Sequence, residues 1–543
     1  MTRLLATSAF ALIAGAAPLF ADVTPAQAWE NLQKYYESFG YELATGNVED
    51  AGNTLTVTDF TMTAKAEEGQ TVLGIPKMVF EQTGDAKVRS VIEGEMSLSS
   101  KFQVEDYDLP EEDPAAADKG ETADDQTGTD APQPKTYEME MTGTAAMPDN
   151  EMLISGTPED MLYEFNYPSF TANIEFPVDP KTEAKMPLTI VINNTKGTQR
   201  NTTGDGTATE FDMTAESLNI SSDMDIPAEG QGAGGKMNFV ADMNALTMKG
   251  SGHAPAEKFD LNTQLAQALA AGMRFDGVMT FGGITGTVKA NQDAGPDGGQ
   301  PKTLDGTFSS GAGEYSMTLA SEGMGYKSTA DGGKLNLTVS DLPFPINVSM
   351  DKSAVDFLMP VEKSEEAQPY KLVYSIAGLT LDDGIWNLFD PNKQLPRDPA
   401  NLTIDVAGDA VVTKDIFDPA AMEPQTDASG AMIAQEPPAM PKSLKINQIA
   451  LDMVGAKVDL NGDLTFDEAN AQPLGKINGS FEGVNGLLDK AVAMGLVPQD
   501  QLMGMRMMLA MFAKPVDGQA DKMATEIEFR EGGSIFANGQ QVK

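Results

Sequence analysis

Along most of the chain the apolar positions recur at every second residue. Thr54, Thr56 and Thr58 alternate with Leu55 and Val57, and Phe60, Met62 and Ala64 carry an apolar face onward. A period of two marks a strand with one buried face. The same texture returns at 188–192, 237–243, 279–288, 335–339, 402–406, 446–451 and 527–529. Asn461-Gly462 stands between the alternating runs 457–460 and 463–466, and an Asn-Gly pair so placed predicts a hairpin turn. With 52 Gly and 32 Pro as punctuation, the expected fold is mainly β. We expect large twisted antiparallel sheets, elongated or groove-like, with a few short helices and disordered acidic or Pro-rich insertions.

Helical spacing interrupts this pattern in three places. Thr24-Pro25-Ala26-Gln27 offers an N-cap, a proline at the first helical position and a capping-box Gln. Trp29, Leu32, Tyr36 and Phe39 then follow at spacings of three and four, which predicts one core-facing stripe ending at Gly40. Phe259, Leu261, Leu265 and Leu269 predict a second helix running to Gly272, and 486–495 a third with a similar Gly ending. That echo raises an internal duplication, though short Leu/Ala helices resemble one another by chance.

The chain opens with Met1-Thr2-Arg3, an apolar run from Leu4 to Ala17, and Ala21 before Asp22. A positive start, an apolar stretch and a small-residue site read as a secretory signal peptide over residues 1–21. The run of about 14 to 18 apolar residues is short for a membrane span. After it we expect two β-rich halves, 22–290 and 304–543. Residues 105–135 hold many acids and almost no large apolar side chain, and 418–441 carry five prolines. Both read as solvated insertions or linkers.

Charge and composition narrow the function. The chain has 81 acidic residues against 37 basic, a net of −44. Such a surface repels phosphate backbones, so nucleic acid is not an expected partner. It lacks Cys and has a single His, His253. Thiolate metal sites, Cys nucleophiles and disulfides are therefore excluded, and His-rich zinc sites with them. No cofactor is expected.

The motifs that bear on chemistry are weak. Residues 230–235 match G-x-G-x-x-G, but a strand pattern follows where a dinucleotide site needs a helix. Ser349-Met350-Asp351-Lys352 has the S-x-x-K spacing without partner motifs, and follows a strand-like run. His253 falls in a predicted loop before a helix. Asp459, Asn461 and Asp463 alternate like calcium ligands, but the Gly and Glu an EF-hand loop requires are missing.

The most unusual stretch is 499–513, where Met503, Met505, Met507, Met508, Leu509, Met511 and Phe512 make a helix apolar nearly all round. Such a helix must be buried on most sides or face something oily. Burial in the core is the first expectation, contact with lipid or a partner the second, since Met side chains adapt to varied apolar surfaces. Trp386, Met505, Met508, Leu509 and Phe512 are the candidate binding residues.

The segment Leu381-Asp382-Asp383-Gly384-Ile385-Trp386-Asn387-Leu388-Phe389-Asp390-Pro391, with Leu395-Pro396-Arg397-Asp398-Pro399, resembles a family of exported Gram-negative bacterial proteins of unknown function. The start, with Ala28-Trp29, 38–41 and 55–59, and the close, with 528–533 and 536–539, are similar to the same family. The resemblance implies a periplasmic β-rich fold, akin to envelope proteins whose long curved sheets handle lipids. It implies no activity and no site residues.

The expected function is a non-enzymatic exported protein that holds an amphiphile or an envelope partner along an apolar face. A structural or adhesive envelope protein is the alternative, and a carboxylate-based hydrolase a remote one.

Overall fold

A computed structural model describes residues 23–66, 69–106, 135–179, 184–226, 228, 233–295, 299–422, 437–466 and 472–543. The expected signal peptide, most of the acidic segment and most of the G-x-G-x-x-G stretch lie outside these residues.

Helix α1 (Pro25–Ser38) opens the chain, and short strands β1 (Glu42–Ala44) and β2 (Asn47–Asp50) follow. Next come β3 (Thr54–Ala66), β4 (Gly69–Gln82), β5 (Val88–Glu93), β6 (Met96–Asp106), β7 (Lys135–Ala146) and β8 (Glu151–Thr157). Four long strands continue, β9 (Asp160–Asp179), β10 (Ala184–Gly204), β11 (Gly206–Ile226) and β12 (Gly235–Ala254). Beyond helix α2 (Leu265–Ala270) lie β13 (Arg274–Phe281), β14 (Gly283–Gln292), β15 (Lys302–Ser310) and β16 (Gly313–Ala320). Then come β17 (Gly323–Val339), β18 (Ile346–Met359) and β19 (Gln368–Leu381). Helix α3 (Asp383–Phe389), β20 (Ala400–Val412), α4 (Pro419–Met422), β21 (Ala439–Met453), β22 (Ala456–Phe466) and β23 (Pro473–Glu482) follow. Helices α5 (Val484–Ala493) and α6 (Gln499–Phe512) precede β24 (Lys514–Pro515), β25 (Lys522–Arg530), β26 (Ser534–Ala537) and β27 (Gln540–Gln541).

All these strands form one antiparallel sheet. Most strands consecutive in sequence pair, while short strands lying end to end share a long partner, as β13 and β14 both pair with β12 and β15 and β16 both with β17. The sheet is a long meander. Residues 293–301 merely join β14 to β15, which pair directly. The expectation of a mainly β fold is met, and every run read as a strand lies within one except 279–288, which Gly282 divides between β13 and β14.

Two readings of local structure are corrected. Asn461-Gly462 is no turn: β22 runs straight through it, with Gly462 opposite Ile477. A Cβ on Gly462 would lie 2.8 Å from Ile477 Cα, so the glycine serves close strand approach rather than a reversal. The actual turn is Val454-Gly455, both at positive φ (49° and 80°), between β21 and β22. The second helix spans only Leu265–Ala270; Phe259 and Leu261 precede it in irregular chain.

The predicted capping box at α1 is present: Gln27 N donates to Thr24 Oγ1 (3.3 Å) and Thr24 N to Gln27 Oε1 (3.0 Å). Trp29 meets Phe60 edge-on at 5.0 Å and tilts against Phe80 at 5.9 Å. Together with Leu55, Val57, Met78, Val88, Ile154 and Met161 they form the principal buried cluster. Phe39 departs from the expected stripe. It is the C-cap residue, lies exposed, and packs on Tyr35 instead (5.1 Å).

Candidate functional site

The strand registers decide which side chains share a face, because directly paired residues point the same way. Phe165 of β9 pairs with Gly197, Gly197 with Met213, Met213 with Met248, and Met248 with Met279. Met279 pairs with Tyr315, Tyr315 with Ser328, and Ser328 with Val355. Val355 pairs with Tyr374, Tyr374 with Ile404, Ile404 with Ile449, and Ile449 with Leu460. One apolar row thus crosses the sheet from β9 to β22. Among the described residues, the positions in phase with it from β9 to β23 carry no acidic side chain, and the basic Lys302 stands in phase only at the outer end of β15, where it pairs with Asp341 (2.7 Å).

The opposite face holds the charges. Lys249–Asp212 (2.9 Å), Lys371–Asp356 (2.6 Å), Lys457–Asp452 (2.9 Å) and Lys476–Glu526 (3.1 Å) are ion pairs between neighbouring strands there. Such exposed pairs add little stability each, about 0 to 1 kcal/mol. Their consequence is placement: one face is wet and the other apolar.

A crease runs across the strands. Asn194 (φ 52°), Ala245 (φ 51°) and Gly332 (φ 60°) adopt left-handed backbone midway along β10, β12 and β17, and Gly378 (φ 68°) does so near the end of β19. At the same level the chain breaks outright, at Gly282 between β13 and β14 and at Gly311-Ala312 between β15 and β16. The alternation changes phase there. In β9 the apolar positions are Met161, Tyr163, Phe165 and Tyr167, then Phe170, Ala172, Ile174 and Phe176. In β18 they are Ile346, Val348 and Met350, then Val355, Phe357 and Met359. Each strand therefore bends while keeping its apolar side chains inward, which turns the sheet into a trough.

Aromatic side chains on this face lie over glycines of the next strand. Phe165 faces Gly197, Phe211 faces Gly250, Phe281 faces Gly313, Phe308 faces Gly286, and Tyr370 faces Gly408. A Cβ at any of these glycines would fall at 3.0 Å or less from the ring it faces. The missing side chain lets the ring lie flat, as in aromatic rescue of a strand glycine. The rings stack further: Phe239 with Phe308 at 5.9 Å, Phe211 with Phe275 at 6.4 Å, Phe281 with Tyr315 at 5.6 Å.

The face is not fully covered. Met248, Phe275, Met317, Tyr326, Leu372, Tyr374 and Leu451 are all exposed, with Met317 at 43%. At the N-terminal end α1 crosses the trough. Its Asn31 Nδ2 donates to Pro158 O (2.9 Å), Tyr163 Oη donates to Asn31 Oδ1 (2.6 Å), and Glu37 pairs with Lys258 at 3.1 Å. Burial pushes the Tyr36 and Tyr167 phenols up to about 12, and Tyr163 upward as well. These hydroxyls stay neutral, and that of Tyr163 serves as a hydrogen-bond donor to Asn31. Beyond the C-terminal end of α1 a cavity of about 670 Å³ opens between Phe39, Tyr41, Thr71, Ser100, Phe102 and Phe259.

The candidate residues read from the sequence sit elsewhere. Trp386 is buried within α3, tilted against Phe389 (5.1 Å) under the Arg397 guanidinium (5.5 Å). Met505, Met508 and Phe512 of α6 are exposed, and Leu509 is half-buried. The expectation that this helix is core is thereby overturned. Leu502 is its only buried residue, because α6 rests on the end of the sheet along one narrow line and, among the described residues, no further layer covers it.

His253 is not in a loop but near the end of β12. Its ring nitrogens each lie 2.9 Å from a backbone carbonyl, of Gly272 and of Asp205. Ser349 and Lys352 lie three apart on strand β18, so the pair never shares a helical turn. Asp459 and Asp463 point to the polar face of β22, where Asp459 accepts from Gln448 (2.6 Å). The trough residues themselves were missed. Their signal was the phase slip, an alternation that shifts by one midway through each long strand.

The fold and site define a single-sheet protein with one apolar, partly open face. Residues 299–536 match the model of a family described as an uncharacterized protein conserved in bacteria (DUF2125). The matched region begins just before β15 and ends within β26, and takes in the 381–399 segment on which the resemblance to a family of unknown function rests. No curated protein matches the chain.

Proposed function

We propose that the trough binds an amphiphile, with its hydrocarbon part along the inward face and its polar part at the rim. The observation that carries this reading is the nearly uncharged inward face: a chain of net charge −44 keeps its acidic side chains off the strand positions of that face from β9 to β23 among the described residues, with Lys302 at the end of β15 its one basic position there. An exposed continuous apolar surface has a solvation cost that a monomer avoids unless something covers it. The Met side chains along it, including Met213, Met248, Met279, Met317 and Met350, suit a ligand of variable shape. In this reading the protein acts as a binder rather than an enzyme, since the strand positions of this face offer neither the carboxylate nor the imidazole that acid–base and nucleophilic chemistry most often uses. The signal-like residues 1–21 support export, and the family resemblance supports a periplasmic location.

The test is lipid extraction and mass spectrometry of the purified chain, alongside its Met317→Asp variant. A stoichiometric amphiphile in the parent, reduced in the variant, is the expected result. A lipid-free parent that also fails to take up a fluorescent fatty acid would overturn the reading.

A further inference from the structure

We infer that helix α6 is a membrane-docking surface, and that its partner is the lipid of a bilayer. This surface lies outside the trough and does not depend on the trough carrying lipid.

The geometry of α6 comes first. At 3.6 residues per turn, Met503, Met507, Met511, Met508, Phe512 and Met505 spread through about 200° of its circumference. Met503, Met507 and Met508 are exposed by 70%, 65% and 62%. Leu502 alone is buried, with Arg506 and Leu509 half-buried along the same line. The C-terminal end is anchored: Thr525 Oγ1 and Asn538 Nδ2 both donate to Phe512 O, the latter at 2.9 Å. Fixed on one side and, past the first turn that carries Asp500 and Gln501, apolar over half its surface, α6 has the form of an interfacial helix.

Neighbouring helices extend the patch. Lys490 of α5 lies near enough to Asp390, at the end of α3, to favour its carboxylate. Leu388 and Phe389 of α3 and Leu496 after α5 are exposed at that same end of the strands.

Charge selects the occupant. Residues 484–515 hold Asp489 and Asp500 against Lys490, Arg506 and Lys514, whereas the whole chain has 81 acids to 37 bases. Asp489 is moreover paired with Arg506 at 2.6 Å. The strongly acidic chain as a whole is repelled by anionic headgroups, and this region is relieved of that repulsion. A second copy is disfavoured, because it would bring another −44 to the same contact. A protein partner would cover one stripe of the helix. A bilayer surface accepts the full apolar arc.

The chain has no Cys, so a single label can be placed at will. In the full chain, Met508→Cys carries an environment-sensitive fluorophore on α6, and Thr318→Cys carries it on the polar face of β16 as the control. Vesicles of phosphatidylethanolamine and phosphatidylglycerol are the probe. The expected result is a blue shift and a gain in intensity for the α6 label with no change at the control. Adding Met503→Glu and Met507→Glu should raise the lipid concentration needed by about tenfold or more. Both residues are exposed, so the fold tolerates them. No shift with vesicles overturns the proposal, as does an equal shift at the control or one indifferent to the two Glu substitutions. A shift that depends on protein concentration without vesicles would assign the surface to a second copy, and one raised only by a soluble lysate to a protein; either overturns it. Lipid content of the trough, measured separately on the same samples, keeps this outcome apart from that of the amphiphile reading.

Discussion

The ring of Phe308 lies over Gly286 on the adjacent strand, so that a Cβ on Gly286 would sit 2.5 Å from Phe308 Cε1 and closer still to Cζ. The two residues are direct partners in the β14–β15 register. Five pairs of this kind occur along the trough, which makes glycine here a packing residue rather than a flexible one.

Gly286→Ala should therefore destabilise the protein by about 1–3 kcal/mol, the usual cost of overpacking. Gly504 of α6 has nothing within 4 Å of its would-be Cβ. Gly504→Ala should stabilise the helix locally by up to about 1 kcal/mol. Urea unfolding curves of the two variants should move in opposite directions.

Trp29 ties α1 to the sheet through Phe60 and Phe80. Trp29→Ala should cost about 3–5 kcal/mol, as for other buried aromatics. The loss should appear first in hydrogen exchange at β3 and β4, the strands α1 packs on.

Asn150 bridges the gap between β7 and β8. Its Oδ1 accepts from Ile92 N (2.8 Å), and its Nδ2 donates to Ile92 O (2.7 Å) and Met147 O (2.6 Å). The amide stands in for a missing strand residue. Asn150→Ala should leave buried backbone groups unpaired and cost on the order of 1–3 kcal/mol. An unchanged melting temperature would show that water restores those bonds.

Acid should loosen the α3 turn. Desolvation works against the Asp390 carboxylate, but the N–H groups of Gln394 and Leu395, and then Arg397 and Lys490, outweigh it and hold its pKa below the ordinary value. A depressed carboxylate contributes stability above its unfolded pKa of about 3.9, and that contribution is lost as pH falls through the folded value. Trp386 fluorescence should change on acidification below about pH 4, and Asp390→Asn should remove that step.

Alkali should act at the other end. Burial raises the Tyr36 and Tyr167 phenols to about 12. A raised acid contributes stability that is complete below its unfolded pKa of about 10 and lost as pH rises through the folded value. Tyrosinate absorbance should show a late-titrating class between about pH 10 and 12, coincident with release of α1.

Much of this architecture was legible in the chain. Alternation at 54–64, 237–243 and 402–406 named strands, and Thr24-Pro25-Ala26-Gln27 named the start of α1, because pleat and capping are local properties. The phase slip at residues such as Asn194, Ala245 and Gly378 was legible too, but it reads as the end of a strand unless a partner strand is known to bend at the same level. The Asn461-Gly462 pair misled because its glycine answers to Ile477 across the sheet, not to its own neighbours.

The sequence by itself determined that this chain is a sheet protein with an acidic surface, without Cys, and with one helix too apolar for its length. Only the tertiary structure decided that the apolar positions of successive strands join into one inward trough, that Trp386 is buried under Arg397, and that α6 is exposed. The physical reason is that periodicity tells which side chains share a face of one element. What lies against that face depends on register and on which layers exist, and here, among the described residues, no second layer covers α6 or the trough beyond α1.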